Sequence, residues 1–327
     1  MTTGGTQDAE HAIKASLEAA RWAPSVHNTQ PWSFAVSGDE ISLRADPDRK
    51  LRASDTAGRE LLISCGAALF NIRTALRGEG YEPVVRVLPD PDRPSLLATV
   101  RLAPAPAVDD QARELAREFE RRRTHRAGFA NLPVPAALIA SLARHAAEEG
   151  AELTVIASSE AVRVLAALTQ AAQVVQSQDR RFSLDVIRWA RPPGSTRADG
   201  VPAGAYPRQE VAGDPDFPQR EYAWRHDWGG PAQGGPTTTG LVALLTTGGD
   251  ERAEWIAAGQ ALQSVLLRAA AHGVSAAFHT QALEMFHLRE FLRQELCSGR
   301  YPQMIMRLGV ALDDKEAVRR PLGDMLA

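Results

Sequence analysis

The sequence predicts an α+β chain built from two tandem copies of one helix-and-strand unit. Three observations point there. The chain has 327 residues, more than one ordinary domain uses. Helical-period segments alternate with short β-like runs along its length. And one helix pattern occurs twice: Cys65-Gly66-Ala67-Ala68-Leu69 resembles Ala258-Gly259-Gln260-Ala261-Leu262, and each helix closes at a glycine fourteen residues on, Gly80 and Gly273.

The elements follow in order. Asp8 to Trp22 places Ile13, Leu17 and Ala20 on one face and reads as a helix. Ala23-Pro24-Ser25 stops it. Ser33 to Val36 and Glu40 to Arg44, joined through Ser37-Gly38-Asp39, read as a hairpin. Glu60 to Arg77 is a strong helix with Leu62, Leu69, Ile72 and Leu76 as its stripe, ended by Gly78-Glu79-Gly80. Strands follow near 84–88 and 96–102, then a proline-rich linker at 103–108. This closes a first half, 1–108.

The second half, 109–327, opens with a charged helix at Asp110 to Arg123. Helices at 135–149, 160–177, 253–272 and 288–296 alternate with strands at 153–157, 241–246, 274–278 and 304–310. Between them, 179–237 is rich in Pro, Gly, Trp and Arg with little periodicity. It is too long for an ordinary connection, and such segments are often lids.

Composition excludes several classes. Hydrophobic residues make 44% and charged residues 24%, ordinary for a globular chain. The net charge of -3 argues against a nucleic-acid binder, which needs a cationic excess. Cys65 and Cys297 can form one bridge at most, so no disulfide scaffold is expected and a reducing cytoplasm fits. No secretory leader is read at the start. No stretch approaches the about 18 apolar residues of a membrane span. His272, His279 and His287 lack metal-ligand spacing, and no nucleotide-loop or nucleophile-elbow motif occurs.

Three segments could carry chemistry. The first, Pro24-Ser25-Val26-His27-Asn28-Thr29-Gln30-Pro31-Trp32, lies between a helix and a strand. Ser25, Asn28 and Gln30 offer donors and acceptors on a loop stiffened by two prolines, which suits an extended, hydrogen-bond-rich ligand and equally a structural turn. The second is Arg121 to Arg126. In an extended segment Arg122, Thr124 and Arg126 point one way, and two guanidinium forks around a hydroxyl clamp a phosphate; a solvated run at a helix end has the same composition. The third is Arg319-Arg320-Pro321.

Together these motifs resemble the FMN-dependent nitroreductase superfamily. APSxxNxQPW at Ala23 to Trp32 resembles its flavin loop, RxTxR at Arg122 to Arg126 its phosphate motif, and Tyr301 to Gly309 followed by Arg319-Arg320-Pro321 its C-terminal strand and arginine tail. RWAPSVHNTQPW with the doubled organisation is most similar to the Acg-like branch. In that family each FMN lies at a dimer interface, with the loop from one subunit and the arginines from the other. Here the first half has the loop and the second the arginines, which implies one composite FMN site per chain and a monomeric pseudo-dimer.

The resemblance implies FMN contacts from Pro24, Ser25, Val26, His27, Asn28 and Gln30, and from Arg122, Thr124, Arg126, Arg319 and Arg320. Thr280 and Gln281 stand near flavin N5, where the family has Gly-Gly. It also implies hydride transfer from NAD(P)H through FMN to a nitroaromatic or quinone, with no assigned catalytic acid or base. The corresponding insertion in the Acg-like branch is a lid, for which Tyr222, Trp224, His226 and Trp228 are the candidates. A closed lid would exclude nicotinamide and make the chain a flavin-sequestering protein instead.

Overall fold

The structure is a computed structural model that describes residues 3–105, 107–208, 214–231, 236–312 and 317–327. It opens with α1 (Thr3–Ala20), which gives way to the loop of Pro24 to Pro31. Strands β1 (Trp32–Ser37) and β2 (Glu40–Ala45) form the expected hairpin. Helix α2 (Arg59–Gly78) follows, then β3 (Tyr81–Val87) and β4 (Leu96–Pro104). All neighbours in this sheet are antiparallel, in the order β1-β2-β4-β3.

The later part contains α3 (Asp110–Ala116), α4 (Ala136–Glu148), β5 (Glu152–Val155) and α5 (Ser159–Gln178). Then come α6 (Arg180–Trp189) and a short parallel pair, β6 (Ala190–Arg191) and β7 (Val201–Pro202). The regular fold resumes with β8 (Leu241–Thr247), α7 (Arg252–Ala271), β9 (Ser275–Phe278), α8 (Phe286–Glu295) and β10 (Tyr301–Gly309). The second sheet runs β5-β8-β10-β9. In each sheet an inner strand leads through a long helix to an edge strand, and the chain returns between them.

The two long helices cross at their matched glycines. A Cβ on Gly66 would lie 2.1 Å from the carbonyl oxygen of Ile256, and one on Gly259 would lie 2.0 Å from that of Ile63. Only glycine permits this approach. A mid-helix glycine costs about 0.5–1 kcal/mol relative to alanine, a cost that close backbone packing offsets. Asn71 and Gln263 add a buried hydrogen bond of 2.8 Å across the same interface. Each helix also serves its own core: Leu69, Ile72 and Leu76 join Trp32, Phe34 and Leu97, while Leu262, Val265 and Leu266 join Leu142, Leu245 and Met306. The C-terminal tail crosses over. Leu326 bridges Phe34 in parallel, and Met325 is buried in the first core.

The structure changes three sequence-based expectations. The charged helix expected to 123 ends at Ala116. Beyond it the amides of Glu118 and Phe119 bond three residues back, a tighter winding that carries Phe119 into a cluster with Leu115, Phe70 and Leu267. This frees Arg122 to Arg126 to run alongside β9, where Thr124 bridges Ala276. The linker is also shorter, because Ala103 and Pro104 belong to β4. Finally, the 179–237 insertion contains a helix, α6, whose cap is Asp179 accepting from the Arg181 amide. Its apolar Phe182, Val186 and Trp189 recur at i, i+4 and i+7, a short stripe set among arginines that the reading of the segment as irregular passed over.

Candidate functional site

The loop after α1 is held in an uncommon conformation. His27, Asn28 and Gln30 have φ of 46°, 54° and 49°. Non-glycine residues rarely adopt this left-handed region, at a cost on the order of 1 kcal/mol each. Side-chain bonds offset it. Asn28 Nδ2 donates to the carbonyls of Gly200 (2.9 Å) and Val318 (3.1 Å), and its Oδ1 accepts from Arg319 (3.1 Å). Gln30 Nε2 donates to Ala198 O (2.9 Å), and its Oε1 accepts from the Arg320 amide (2.9 Å). Ser25 Oγ accepts from the Gln30 amide, and the Val26 amide donates to Ser64 Oγ. The loop thus fastens the insertion and the C-terminal tail to the first half.

Two cavities meet at this loop. Both are lined by Pro24, Ser25, Thr124 and Arg126. The larger, about 720 Å³, adds Val26, His27, Glu60, Ile63 and Ser64 from the first half, and Leu262, Phe278, Thr280 and Met304 from the second. Gln219, Arg220 and Tyr222 of the insertion complete its wall. The smaller, about 440 Å³, is lined by Asn28, Arg123 and Arg319 and by Gly200, Val201 and Pro202. One chamber is broad and partly apolar; the other is narrow and cationic.

The cationic chamber draws its charge from guanidiniums. Burial drives the Arg122 pKa down to about 9, and Arg123 and Arg126 push it the same way. Its Nε and Nη1 have no hydrogen-bond partner. Burial likewise holds Arg319 well below the usual guanidinium range, with Arg122, Arg123 and Arg126 adding to the effect; its Nε is unpartnered. The indole of Trp22 lies against Arg21, Arg123 and Arg319, each within 5.7 Å of a ring centroid. Among the described residues, every charge that shifts Arg122 or Arg319 is another arginine. Buried cations without a counter-ion are costly, and an anion in the chamber would remove that cost.

Tyr222 forms part of the wall of the broad chamber. Its hydroxyl lies 2.8 Å from His27 Nδ1, and Arg126 stacks over its ring at 5.9 Å. Arg220 pairs with Glu284, which also accepts from Thr280 Oγ1 (2.8 Å). Further out, Asp185 accepts from the amides of Arg52, Ala53 and Ser54, and Asp199 pairs with Arg49, Arg191 and Arg197. These bonds pin the insertion over the loop.

Of the residues expected at the site, Pro24, Ser25, Val26, His27, Asn28, Thr124, Arg126, Thr280 and Arg319 line the cavities. Arg122 lies beneath the cationic chamber, 3% exposed. Gln30 and Arg320 are turned into the loop–tail contact described above. Gln281 is buried the other way, donating to Pro218 O. Of the four lid aromatics only Tyr222 reaches a chamber. Trp224 lines a separate small cavity together with Phe182, and His226 stacks on Trp228 at 4.5 Å. Sequence reasoning missed Glu60, Ser64, Gln219 and Arg220; an acid in a helix's first turn reads as ordinary dipole compensation.

No protein-family model matches the chain. Curated relatives do. It is 35% identical over 314 residues, 93% of this chain and 86% of the relative, to the Mycobacterium tuberculosis protein named "Putative NAD(P)H nitroreductase Rv3131". It is 28% identical over 326 residues, 96% of this chain and 94% of the relative, to "Putative NAD(P)H nitroreductase acg" of the same organism. Among solved structures, a nitroreductase with bound FMN from Desulfitobacterium hafniense matches at 14% identity and a TM-score of 0.39, covering 65% of this chain and 97% of its own. The 35% identity over most of both chains places this α+β protein with the nitroreductases. The chain belongs to the nitroreductase superfamily, in its Acg-like branch.

Proposed function

We propose that the chain binds one FMN across the joined chambers. The observation that carries this is the cluster of Arg122, Arg126 and Arg319, with no acid against it among the described residues, at the narrow end of a cavity whose broad end is walled by Val26, Ile63, Leu262 and Tyr222. A phosphate would supply the missing counter-ion, with Arg126, Arg319 and Thr124 as its donors. Pro24, Ser25 and Asn28 would follow the ribityl chain, and the aromatic ring would lie against the apolar walls. When bound, FMN supplies the hydride chemistry; the chain orients it and excludes water.

The activity that follows is hydride transfer from NAD(P)H to a nitroaromatic or quinone. Anaerobic addition of NADH or NADPH to the FMN-loaded protein tests it: bleaching of the flavin band supports turnover, and no bleaching rejects it. A specific observation favours a second reading. Tyr222, bonded to His27, and Arg220, paired with Glu284, form the outer wall where a nicotinamide would approach. A chain locked in that state sequesters flavin without turning it over.

We further propose that residues 1–108 and 109–327 are duplicated halves that make a monomeric pseudo-dimer with one site. The matched sheet orders and the Gly66–Gly259 crossing support this; an FMN-to-chain ratio near two would reject it. The free thiols Cys65 and Cys297 suit a reducing cytoplasm, and no described helix is long and apolar enough to cross a membrane.

A further inference from the structure

Glu60 stands apart among the residues of the broad chamber. It is the second residue of α2, in its first turn, is 4% exposed and lines the cavity. Its Oε1 accepts from Arg59 (3.0 Å), and its Oε2 is buried with no hydrogen-bond partner. The groups that face it come from three places. Arg59 and Asp55 belong to its own helix start, Glu284 to the turn after β9, and Arg220 to the insertion. Asp55 is engaged by the amides of Glu60 and Leu61, and Glu284 by Arg220, Thr280 and Gln176. The five groups hold three carboxyls against two guanidiniums. Full ionisation would therefore leave a buried negative charge, and the carboxyl with an unpaired oxygen is the one that relieves it by keeping a proton. Burial, reinforced by Glu284, raises the Glu60 pKa to about 8. His27, in the same wall, cannot serve as an imidazolium, because burial and the nearby Arg220 and Arg126 hold its pKa well below the ordinary value.

We propose that Glu60 is the proton donor of the broad chamber, protonating a bound electron acceptor as that acceptor takes up a hydride. This rests on the FMN-dependent reading above. For a quinone, the hydride brings two electrons and makes one new bond. The Glu60 O–H bond breaks as a second O–H bond forms, giving the hydroquinone. Glu60 is left as a carboxylate and regains its proton from water. A carboxyl with a pKa near the working pH suits this exchange.

The test compares FMN-loaded wild type with Glu60→Gln and Glu284→Gln. Infrared difference spectra across pH 6–10 read the carboxyl directly, and stopped-flow reoxidation of the NADH- or dithionite-reduced protein by a soluble benzoquinone reads the transfer. A protonated-carboxyl band titrating near pH 8 in wild type and missing in Glu60→Gln is expected. Quinone reduction should fall about tenfold per pH unit above that point in wild type, and should be at least about tenfold slower and pH-independent in Glu60→Gln. Glu284→Gln removes the like charge and frees Arg220, so both midpoints should move to lower pH. Equal FMN content shows that each variant is folded. An unchanged quinone profile in Glu60→Gln, or no titrating carboxyl, overturns the assignment while leaving FMN binding intact. Failure of wild type to bind FMN overturns both readings, and the infrared titration of the ligand-free chain then still shows whether Glu60 holds the proton.

Discussion

The imidazole Nδ1 of His27 and the hydroxyl of Tyr222 lie 2.8 Å apart, joining the loop after the first helix to an insertion 195 residues later in sequence. The two rings meet edge to face at 5.5 Å. This buried contact joins the insertion to the loop in the wall of the broad chamber, and it bears on access to that chamber.

Tyr222→Ala should open that chamber. Iodide quenching of bound-flavin fluorescence, or sulfite addition at the flavin, should rise several-fold, with flavin content kept. Unchanged quenching would show that the insertion does not cover the ring.

Removing Arg319 or Arg126 should weaken FMN binding. Each charged hydrogen bond contributes about 1.5–3 kcal/mol, or roughly 10- to 150-fold in Kd, measurable by fluorescence titration. Riboflavin, which lacks the phosphate, should bind both variants about as well as it binds wild type. Arg122→Met should behave differently: the ligand-free protein should gain thermal stability, because an unpaired buried cation is lost, while FMN affinity falls.

The Asp199 anchor gives a pH prediction. Burial opposes its charge, but hydrogen bonds from Arg197, Arg191 and Arg49 outweigh it and hold the carboxyl well below the usual range. A depressed carboxylate stabilises the fold above the unfolded value, about 4, and that stability is lost as pH falls through the folded value. Proteolytic nicking within 190–208 should therefore increase at acid pH in wild type. Asp199→Asn should show the nicking at neutral pH already, with little further dependence on acid.

Gly66→Ala and Gly259→Ala should each destabilise by about 3 kcal/mol or more, since the added methyl would meet a backbone carbonyl that cannot swing away. Urea midpoints measure this. A shift under 1 kcal/mol would mean the helices can separate at no cost.

Much of this site was legible before the structure. The loop at 24–28 and the residues Thr124, Arg126 and Arg319 form local strings whose chemistry is visible in order, and they do meet. The long helices were legible because their apolar positions repeat at helical spacing. What escaped reading depends on contacts between distant segments. Gln30 and Arg320 look like ligand residues, yet each satisfies the other across 290 residues of sequence. Trp224, His226 and Trp228 share a composition with Tyr222 but point elsewhere, because turn geometry in an irregular segment leaves no period to follow. Glu60 carries no local mark at all. Its character comes from Glu284, Arg59 and the depth at which the helix begins.

The crossing of Gly66 and Gly259 has a consequence for how such a chain can evolve. Each central helix sets the permitted size of the other's contact residue, so neither half can drift at that seam alone. Elsewhere no such reciprocity applies: one half could abandon its loop and the other its arginines without disturbing the joint. If the two halves are the duplicates proposed above, this shared seam with asymmetric ends would let two similar scaffolds specialise while remaining one molecule.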